Sequence, residues 1–172
     1  AGLVVGVHHG DEKRVGRDGL LQVFPGRLRI NVVQLAIAVY INREIRAQKL
    51  NVTPPITLIE QENRGLPAAR NAGIAASAGE FWLPLDADDR IAPTFVAKCV
   101  RSMQNLPEAG FVYTDIQHFG ELDTVFRLPA FDAAAMVNTD NIGCVCSLVR
   151  KQVWHDTGGY NEQMKQGYED WD

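Results

Sequence analysis

The run Leu85-Asp86-Ala87-Asp88-Asp89 places three carboxylates directly after the apolar segment 81–85. A buried strand that ends in carboxylates brings negative charge to the rim of a sheet, where open α/β folds bind their ligands. In an extended chain, Asp86 and Asp88 project to the same side, so both could face one hard cation or one sugar hydroxyl. The alternative is an acidic turn that caps the following helix, with Asp89 ahead of Pro93. Taken alone, the run favours the cap.

Two further polar clusters share the chain with this run. The first joins Asn63-Arg64-Gly65 to Arg70-Asn71, and the second is the terminal segment 167–172, which contains Glu169 and Asp170. The planar donor fork of an arginine on a helix could reach a diphosphate, although a surface arginine on an alanine-rich helix is the simpler alternative. Adjacent carboxylates also suit the first turn of a helix, where the macrodipole favours them.

The elements that must position these residues follow an alternating pattern from residue 56 onward. Short apolar segments predict strands at 56–59, 81–85, 111–115 and 144–149. Helix formers predict helices at 68–76, with Pro67 at the start, and at 92–105. A short helix is expected at 132–137 and one helical turn at 151–156, ended by Gly158-Gly159. Strands that alternate with helices predict an α/β fold with a sheet and crossover helices.

The first 55 residues give a weaker pattern. Residues 1–8 predict a strand, and the apolar periodicity of 30–49 predicts a long helix. His8-His9 lacks the partner cluster that a metal site requires, so it is interpreted as surface or turn. Trp154, Tyr160 and Trp171 are interpreted as packing residues, with stacking on a sugar as the alternative.

Composition bounds the class of protein. With 172 residues, a net charge of −4 and no basic stripe, the chain fits one globular domain and gives no support for a nucleic-acid partner. Cys99, Cys144 and Cys146 show neither zinc-site spacing nor the density of a disulfide scaffold, which favours a reducing compartment. The longest apolar stretch, 30–41, is shorter than the roughly 20 residues of a membrane span. We therefore expect no transmembrane segment, no secretion signal and a cytoplasmic location, with the inner membrane surface as an alternative.

Several sequence phrases recur together in one order: ENRGLPAARNAG, LDADD, VYTDIQHFG, GGYNE and GYEDWD. Through them, residues 56–172 resemble the family 2 glycosyltransferases. The resemblance implies a GT-A fold, a Rossmann-like mixed sheet with flanking helices that binds a nucleoside-diphosphate sugar. Taken together, the phrases are far more specific than a DxD motif alone.

The resemblance also implies roles for individual residues. Asp88 is expected to bind Mg²⁺ or Mn²⁺, with Asp89 as a second ligand or a cap, because a divalent cation can meet the charge of a departing diphosphate. The donor, with a UDP-sugar favoured, is expected to contact Asn63, Gly65, Arg70 and Asp86. Asp170, with Glu169 as second choice, is expected to remove the proton of an acceptor hydroxyl, on a saccharide or a lipid-linked acceptor.

The chain departs from the family pattern at both ends. Residues 1–55 lack the family's nucleotide-binding turns, and the chain stops two residues after Asp170. We therefore expect an atypical N-terminal segment at 1–55, through which a homo-oligomer could form, and a GT-A-like core at 56–172 that is truncated after the ED motif. Two hypotheses result: a metal-dependent, inverting glycosyltransferase, or a truncated or degenerate module that binds nucleotide, metal or a protein partner without turnover. A nucleotidyltransferase is less favoured, because no phosphate-binding loop rich in glycine and lysine is present.

Overall fold

The computed structural model describes residues 3–7, 35–38, 56–86, 89–138, 146–164 and 167–170. The strands are β1 (Leu3–Val7), β2 (Leu35–Ala38), β3 (Ile56–Glu60), β4 (Phe81–Pro84), β5 (Phe111–Val112), β6 (Ile116–Gln117), β7 (Val125–Phe126) and β8 (Leu148–Arg150). The helices are α1 (Leu66–Ala76), α2 (Phe95–Asn105), α3 (Ala133–Asn138) and α4 (Lys151–Thr157). The α/β class predicted from the alternating pattern is therefore confirmed.

The strands pair in both directions. β1 runs parallel to β3, and β2 runs parallel to β4. β8 lies antiparallel between β4 and β5, while β1 also contacts β2. β6 and β7 form a separate antiparallel pair. β1-β3 and β2-β4-β8-β5 are thus separate hydrogen-bonded sheets, and α1 connects β3 of the first with β4 of the second. Because α/β folds bind ligands beyond the carboxyl ends of their parallel strands, the segments that follow β3 and β4 are the candidate positions for a site.

Strand β4 is the centre of the core, and all four of its residues are buried. Phe81 and Leu83 point to one face and pack with Leu85, with the apolar side of α2 and with Leu148. Trp82 points to the other face and packs with Ile74 of α1, together with partly buried residues of α4 and the segment after it. The strand is thus covered on both faces, which fixes the position of the acidic run that follows it.

Most element predictions from residue 56 onward are confirmed, with shifted boundaries. The helix expected at 92–105 begins at Phe95, and the strand expected at 111–115 ends at Val112. The strand expected at 144–149 is seen at Leu148–Arg150, while Cys144 lies outside the described residues. Asp132 precedes α3 and its carboxylate accepts the backbone N–H groups of Ala134 and Ala135, so the short helix starts one residue later than predicted.

The prediction of one long helix at 30–49 is wrong, because Leu35–Ala38 forms strand β2. The strand pairs with β4 at one end of the four-stranded sheet β2-β4-β8-β5, and it lies close to β1 of the two-stranded sheet. A short apolar run of this kind has the same composition as a buried helix segment, and only its partners distinguish the two. The strand expected at 1–8 is confirmed at Leu3–Val7. His8 and His9 lie outside the described residues.

The described helices include none with both the length and the apolar character of a membrane span.

Candidate active site

Arg70 joins three separate segments of the chain. Its Nη1 donates to Asp170 Oδ1 at 2.5 Å and to Glu169 Oε1 at 3.3 Å, while its Nη2 donates to Asp86 Oδ1 at 3.2 Å. α1 carries the arginine, the segment after β4 carries Asp86, and the turn at 167–170 carries the other two carboxylates. We call these four residues the Arg70 cluster. The structure thus brings together four of the residues predicted from sequence, although their positions differ by up to 100 residues.

The guanidinium is buried, with 2% of the side chain exposed. Burial by itself disfavours the charged form, but the neighbouring Tyr160, Asp170 and Asp86 outweigh it and raise the pKa of Arg70 above its ordinary value. A planar fork with several N–H donors suits this position because it can serve three carboxylates at once. The alternative of a surface arginine on an alanine-rich helix is therefore wrong. With one guanidinium facing three carboxylates, the cluster keeps an excess of negative charge.

Asp86 is the most open carboxylate of the cluster, with 41% of its side chain exposed. Its pKa is raised, chiefly by burial, and the nearby carboxylates Asp89 and Asp170 add to this effect while Arg70 opposes it. Glu169 is 9% exposed and Asp170 is 21% exposed. The cluster is thus buried at the guanidinium and reaches water through Asp86, as a site for a polar ligand requires.

Tyr160, interpreted from the sequence as a packing residue with sugar stacking as the alternative, packs against Trp82 and also contacts the Arg70 cluster through its hydroxyl. Its hydroxyl donates to Asp170 Oδ1 at 3.3 Å, and the Arg70 Cζ lies 5.4 Å from the centre of its ring. Burial is the largest cause of a raised pKa at this hydroxyl, so it remains protonated and a hydrogen-bond donor. Its position directly after Gly158-Gly159 is the signal that sequence reasoning could have used.

The side chain of Asn71, next to Arg70 on α1, holds the backbone of Tyr160. The Asn71 amide donates to the Tyr160 carbonyl at 2.8 Å, and Asn71 Oδ1 accepts the Tyr160 N–H at 2.9 Å. The same oxygen accepts the indole N–H of Trp154 at 2.9 Å, and the amide also donates to Glu162 at 3.3 Å. Sequence reasoning grouped Asn71 with Arg70 but gave it no role. The structure shows that it ties the turn after α4 to α1.

Asn63 and Gly65 shape the entry to α1. Asn63 Oδ1 accepts the backbone N–H of Gly65 at 3.0 Å, which closes a short turn. Gly65 then precedes the helix with φ of 97°, a conformation that glycine adopts without strain. The turn lies between the carboxyl end of β3 and the helix that carries Arg70. Donor binding by Asn63 and Gly65 stays a prediction.

The predicted metal ligands are described only in part, since Asp88 and Ala87 lie outside the described residues. The backbone N–H of Asp89 donates to the carbonyl of Asp86 at 3.1 Å. Cys146 Sγ donates to Asp89 Oδ2 at 3.2 Å. Within the described ranges no three His, Cys, Asp or Glu side chains form a group that could hold a metal ion. The capping alternative is wrong, because α2 begins after Thr94, five positions beyond Asp89.

Glu169 and Asp170 lie in a turn, and Trp171 and Asp172 lie outside the described residues. Glu169 and Asp170 are held in the fold by their contacts with Arg70. The role of Asp170 as a base stays a prediction.

Comparison with known families decides the assignment. The sequence model of "Glycosyl transferase family 2" matches residues 42–158, more than half of the chain. The chain belongs to glycosyl transferase family 2. The match begins before residue 56, the start of the stretch that resembles the family, and it ends before Glu169 and Asp170.

The chain is also similar to individual proteins. The chain is 47% identical over 45 residues to the putative glycosyltransferase EpsH of Bacillus subtilis, an overlap of 26% of this chain and 13% of EpsH. The crystal structure of S. aureus TarS residues 1–349 matches with a TM-score of 0.62 at 15% identity, covering 99% of this chain and 52% of TarS. The TarS complex with UDP gives 0.61 with 53% of TarS covered, and the complex with UDP-GlcNAc gives 0.56 with 48% covered.

The likeness to TarS confirms the predicted GT-A fold for this family 2 chain. The chain spans about half of the TarS structures and a smaller share of EpsH.

Proposed function

We propose that this family 2 chain transfers a sugar from a nucleoside-diphosphate sugar, with a UDP-sugar favoured, to an acceptor hydroxyl. The observation that carries the proposal is the Arg70 cluster, in which Asp86 and the Glu169-Asp170 pair contact one buried guanidinium. A donor-binding carboxylate and a base from a distant segment need this proximity in order to act on one sugar. Family membership supports the reaction class, and the UDP and UDP-GlcNAc complexes of TarS support the donor class.

In the proposed reaction, the acceptor oxygen attacks the anomeric carbon while the bond from that carbon to the diphosphate oxygen breaks. A single displacement of this kind inverts the anomeric configuration. Asp170 receives the proton of the acceptor hydroxyl, with Glu169 as the second choice for this role. Arg70 holds both carboxylates through Nη1, which keeps the base in one orientation.

The donor is proposed to lie along the segments that leave β3 and β4. Asp86, the open carboxylate of the cluster, would accept hydrogen bonds from ribose or sugar hydroxyls. Asn63 and Gly65, in the turn ahead of α1, would border the donor on the other side. Arg70 was predicted to contact the nucleotide itself. Because its guanidinium is 2% exposed and serves three carboxylates, we propose that it acts on the donor through Asp86.

A divalent cation, Mg²⁺ or Mn²⁺, is part of the proposal. Asp88 and Asp89 would hold it, since carboxylate oxygens are the ligands that these hard cations prefer. The donor set fits this role, because Asp88 and Asp89 supply carboxylate oxygens in the sequence, and Asp89 lies close enough to Asp86 to help raise the pKa of its carboxyl group. When bound, the cation would act as a Lewis acid on the departing diphosphate.

The proposal also covers the acceptor, the cellular location and a homo-oligomer. A saccharide or a lipid-linked acceptor would supply the hydroxyl, in the cytoplasm or at the inner membrane surface. Residues 1–55 are a candidate contact for a homo-oligomer. The second candidate function is a GT-A module that binds nucleotide, metal or a protein partner without turnover. It is supported by the contacts of Asp86, Glu169 and Asp170 with Arg70, because these ion pairs hold the fold together whether or not a reaction takes place.

The test is release of UDP from a panel of UDP-glucose, UDP-galactose and UDP-GlcNAc with Mn²⁺ or Mg²⁺. We expect Asp170→Asn to slow release by about 100-fold or more. Asp88→Ala should remove the metal dependence, whereas Asp123→Ala, on an exposed loop, should match the wild type. Equal rates for Asp88→Ala and the wild type would reject the metal role. Calorimetric binding of UDP with Mn²⁺ but no release would support the second candidate function.

A further inference from the structure

We propose that Tyr160 is a positioning residue for the carboxylate of Asp170, acting through its hydroxyl. The inference rests on the proposed function for the role of Asp170, and on the structure for the contact. Tyr160 is a neutral donor that shares an Asp170 oxygen with Arg70. Neither the sequence phrases nor the family assignment gives it a role.

The first step of the argument is the geometry at Asp170 Oδ1. Arg70 Nη1 reaches this oxygen at 2.5 Å and the Tyr160 hydroxyl reaches it at 3.3 Å. Two donors on one oxygen restrict rotation of the carboxylate more than one donor does, and they leave its orientation fixed before an acceptor arrives. The tyrosine contact is long for an O–H donor, as catalytic hydrogen bonds often are before substrate binds.

The second step is the rigidity of the tyrosine itself. Its ring meets the Trp82 ring edge-on at 5.7 Å and lies under the Arg70 guanidinium. Its backbone N–H and C=O are both held by the side chain of Asn71. A hydroxyl on so firmly held a ring can hold its partner in place, whereas one on a mobile side chain could not.

The third step is the charge around the hydroxyl. Arg70 from α1, Asp86 from the segment after β4, and Glu169 and Asp170 from the terminal turn surround the site, and these groups face Tyr160 directly or through Arg70. Burial is the main reason that the pKa of Tyr160 is raised; Arg70 opposes this effect, while Asp170 and Glu169 add to it. The hydroxyl therefore donates rather than accepts across the working pH range.

A tyrosine at this place could instead serve only to fill the core beside Trp82 and Ile74. That packing role belongs to the ring, whereas the positioning role belongs to the hydroxyl. Tyr160→Phe keeps the ring and removes the hydroxyl, so it separates the two roles. Tyr113→Phe is the matched control, because the Tyr113 hydroxyl donates to the Pro129 carbonyl at 2.7 Å on the exposed side of the chain.

The first measurement is steady-state UDP release from the UDP-sugar of the panel that the wild type hydrolyses fastest. We expect Tyr160→Phe to lower kcat about tenfold, to keep KM for the UDP-sugar within twofold, and to change Tm no more than Tyr113→Phe does. Site-specific 3-fluorotyrosine at position 160, which restores a hydroxyl, should recover kcat. A kcat for a folded Tyr160→Phe within twofold of an active wild type would overturn the inference.

The second measurement does not depend on activity. The proton of a buried hydroxyl that donates to a carboxylate should give a downfield proton NMR signal that is absent in Tyr160→Phe. We expect this signal to shift in Asp170→Asn and to stay in place in Tyr113→Phe. If no UDP-sugar is consumed, the proposed function fails while this signal still decides the contact, and an unchanged signal in Asp170→Asn would overturn the inference. Fluorotyrosine at position 160 gives the same test should Tyr160→Phe not fold, because it should move the signal further downfield.

Discussion

At the scale of single residues, Arg70 binds three carboxylates in a geometry that a lysine could not reproduce. Its planar fork contacts Asp86, Glu169 and Asp170 from a buried position, so a single side chain holds the two halves of the candidate site together. A lysine ammonium is a compact point charge on a flexible stem and cannot reproduce this fixed geometry. Removing the donor groups of a buried guanidinium destabilises the fold strongly, because its carboxylate partners are left without a compensating charge.

We expect Arg70→Lys to lower the free energy of unfolding by about 2–3 kcal/mol, because at least one carboxylate would lose its donor. The control is Arg127→Lys, in which the arginine pairs with Asp115 at 3.1 Å but is 82% exposed. An exposed pair of this kind contributes little, so the control should change stability by less than about 0.5 kcal/mol. Urea denaturation measures both, and equal changes in the two variants would contradict the central place of Arg70.

The folded protein should be less stable with a charged Asp86 than with a neutral amide at this position. Its pKa is raised, mainly by burial, so the folded protein binds this proton more tightly than the unfolded chain does. Stability should therefore fall as the pH rises from the ordinary aspartate pKa of about 3.9 through the raised value, and the loss should be complete above it. Asp86→Asn removes that loss.

We therefore expect Asp86→Asn to be more stable than the wild type at pH 7, and to lack the decline between acid and neutral pH. The gain should stay below about 1 kcal/mol, because a side chain that is 41% exposed is partly screened by water. Thermal unfolding with EDTA from pH 4 to 7 measures it. Asp115→Asn, with a similar exposure of 43%, should not gain, because Asp115 accepts hydrogen bonds from Arg127 and the Leu128 N–H. A less stable Asp86→Asn would contradict this account.

At the scale of elements, the turn after α4 is as constrained as the core. Gly158 ends the helix with φ of 84° and Gly159 follows with φ of 78°. A Cβ on Gly159 would lie 2.6 Å from the Trp154 indole nitrogen and 2.8 Å from Asn71 Oδ1. The absence of a side chain at Gly159 thus leaves room for the hydrogen bond between Trp154 and Asn71, whose side chain also holds the Tyr160 backbone.

The two glycines provide a matched pair of variants. We expect Gly158→Ala to cost about 1 kcal/mol, because an added Cβ there meets nothing within 4 Å and only the backbone is strained. Gly159→Ala adds a clash to the same backbone strain and should cost about 3 kcal/mol. Urea denaturation of both variants measures the difference. Equal losses of unfolding free energy in the two variants would show that the atoms around Gly159 move to accommodate the added Cβ without destabilising the fold.

At the scale of the whole molecule, residues 1–55 contribute strands to the sheet. β1 pairs along its length with β3, and β2 pairs with β4. The expected boundary between an atypical segment and a core at residue 56 would therefore divide hydrogen-bonded strand pairs. The exposed strand edges that such a division creates are unfavourable in water.

We expect residues 56–172 alone to lack a cooperative thermal transition, because β3 and β4 would lose their parallel partners. The 172-residue chain should unfold in one transition under the same conditions. Circular dichroism during heating measures both. A cooperative transition in the shorter chain would show that 56–172 is an independent domain, as the sequence pattern alone predicts.

Most of the fold beyond residue 56 could be predicted, because its signals are local. Pro67 at the start of α1, the apolar run before Asp86 and the glycines after α4 each specify an element through its own backbone preferences. The strand Leu35–Ala38 could not be recognised, since its identity depends on the strands at its sides. The candidate residues Asp86, Glu169 and Asp170 could be chosen by type and by their phrases, although their mutual contact could not.

The sequence by itself determined the kinds of group that this protein offers: carboxylates behind a buried strand, an arginine on the helix that precedes this strand, and an acidic pair at a distant position. Only the tertiary structure decided that these groups meet at one guanidinium, and that Tyr160 and Asn71 join them. The physical reason is the distance along the sequence over which each kind of interaction acts. Backbone preferences act over a few residues, whereas a contact between residues 100 positions apart exists only once the sheet has brought α1 and the terminal turn together.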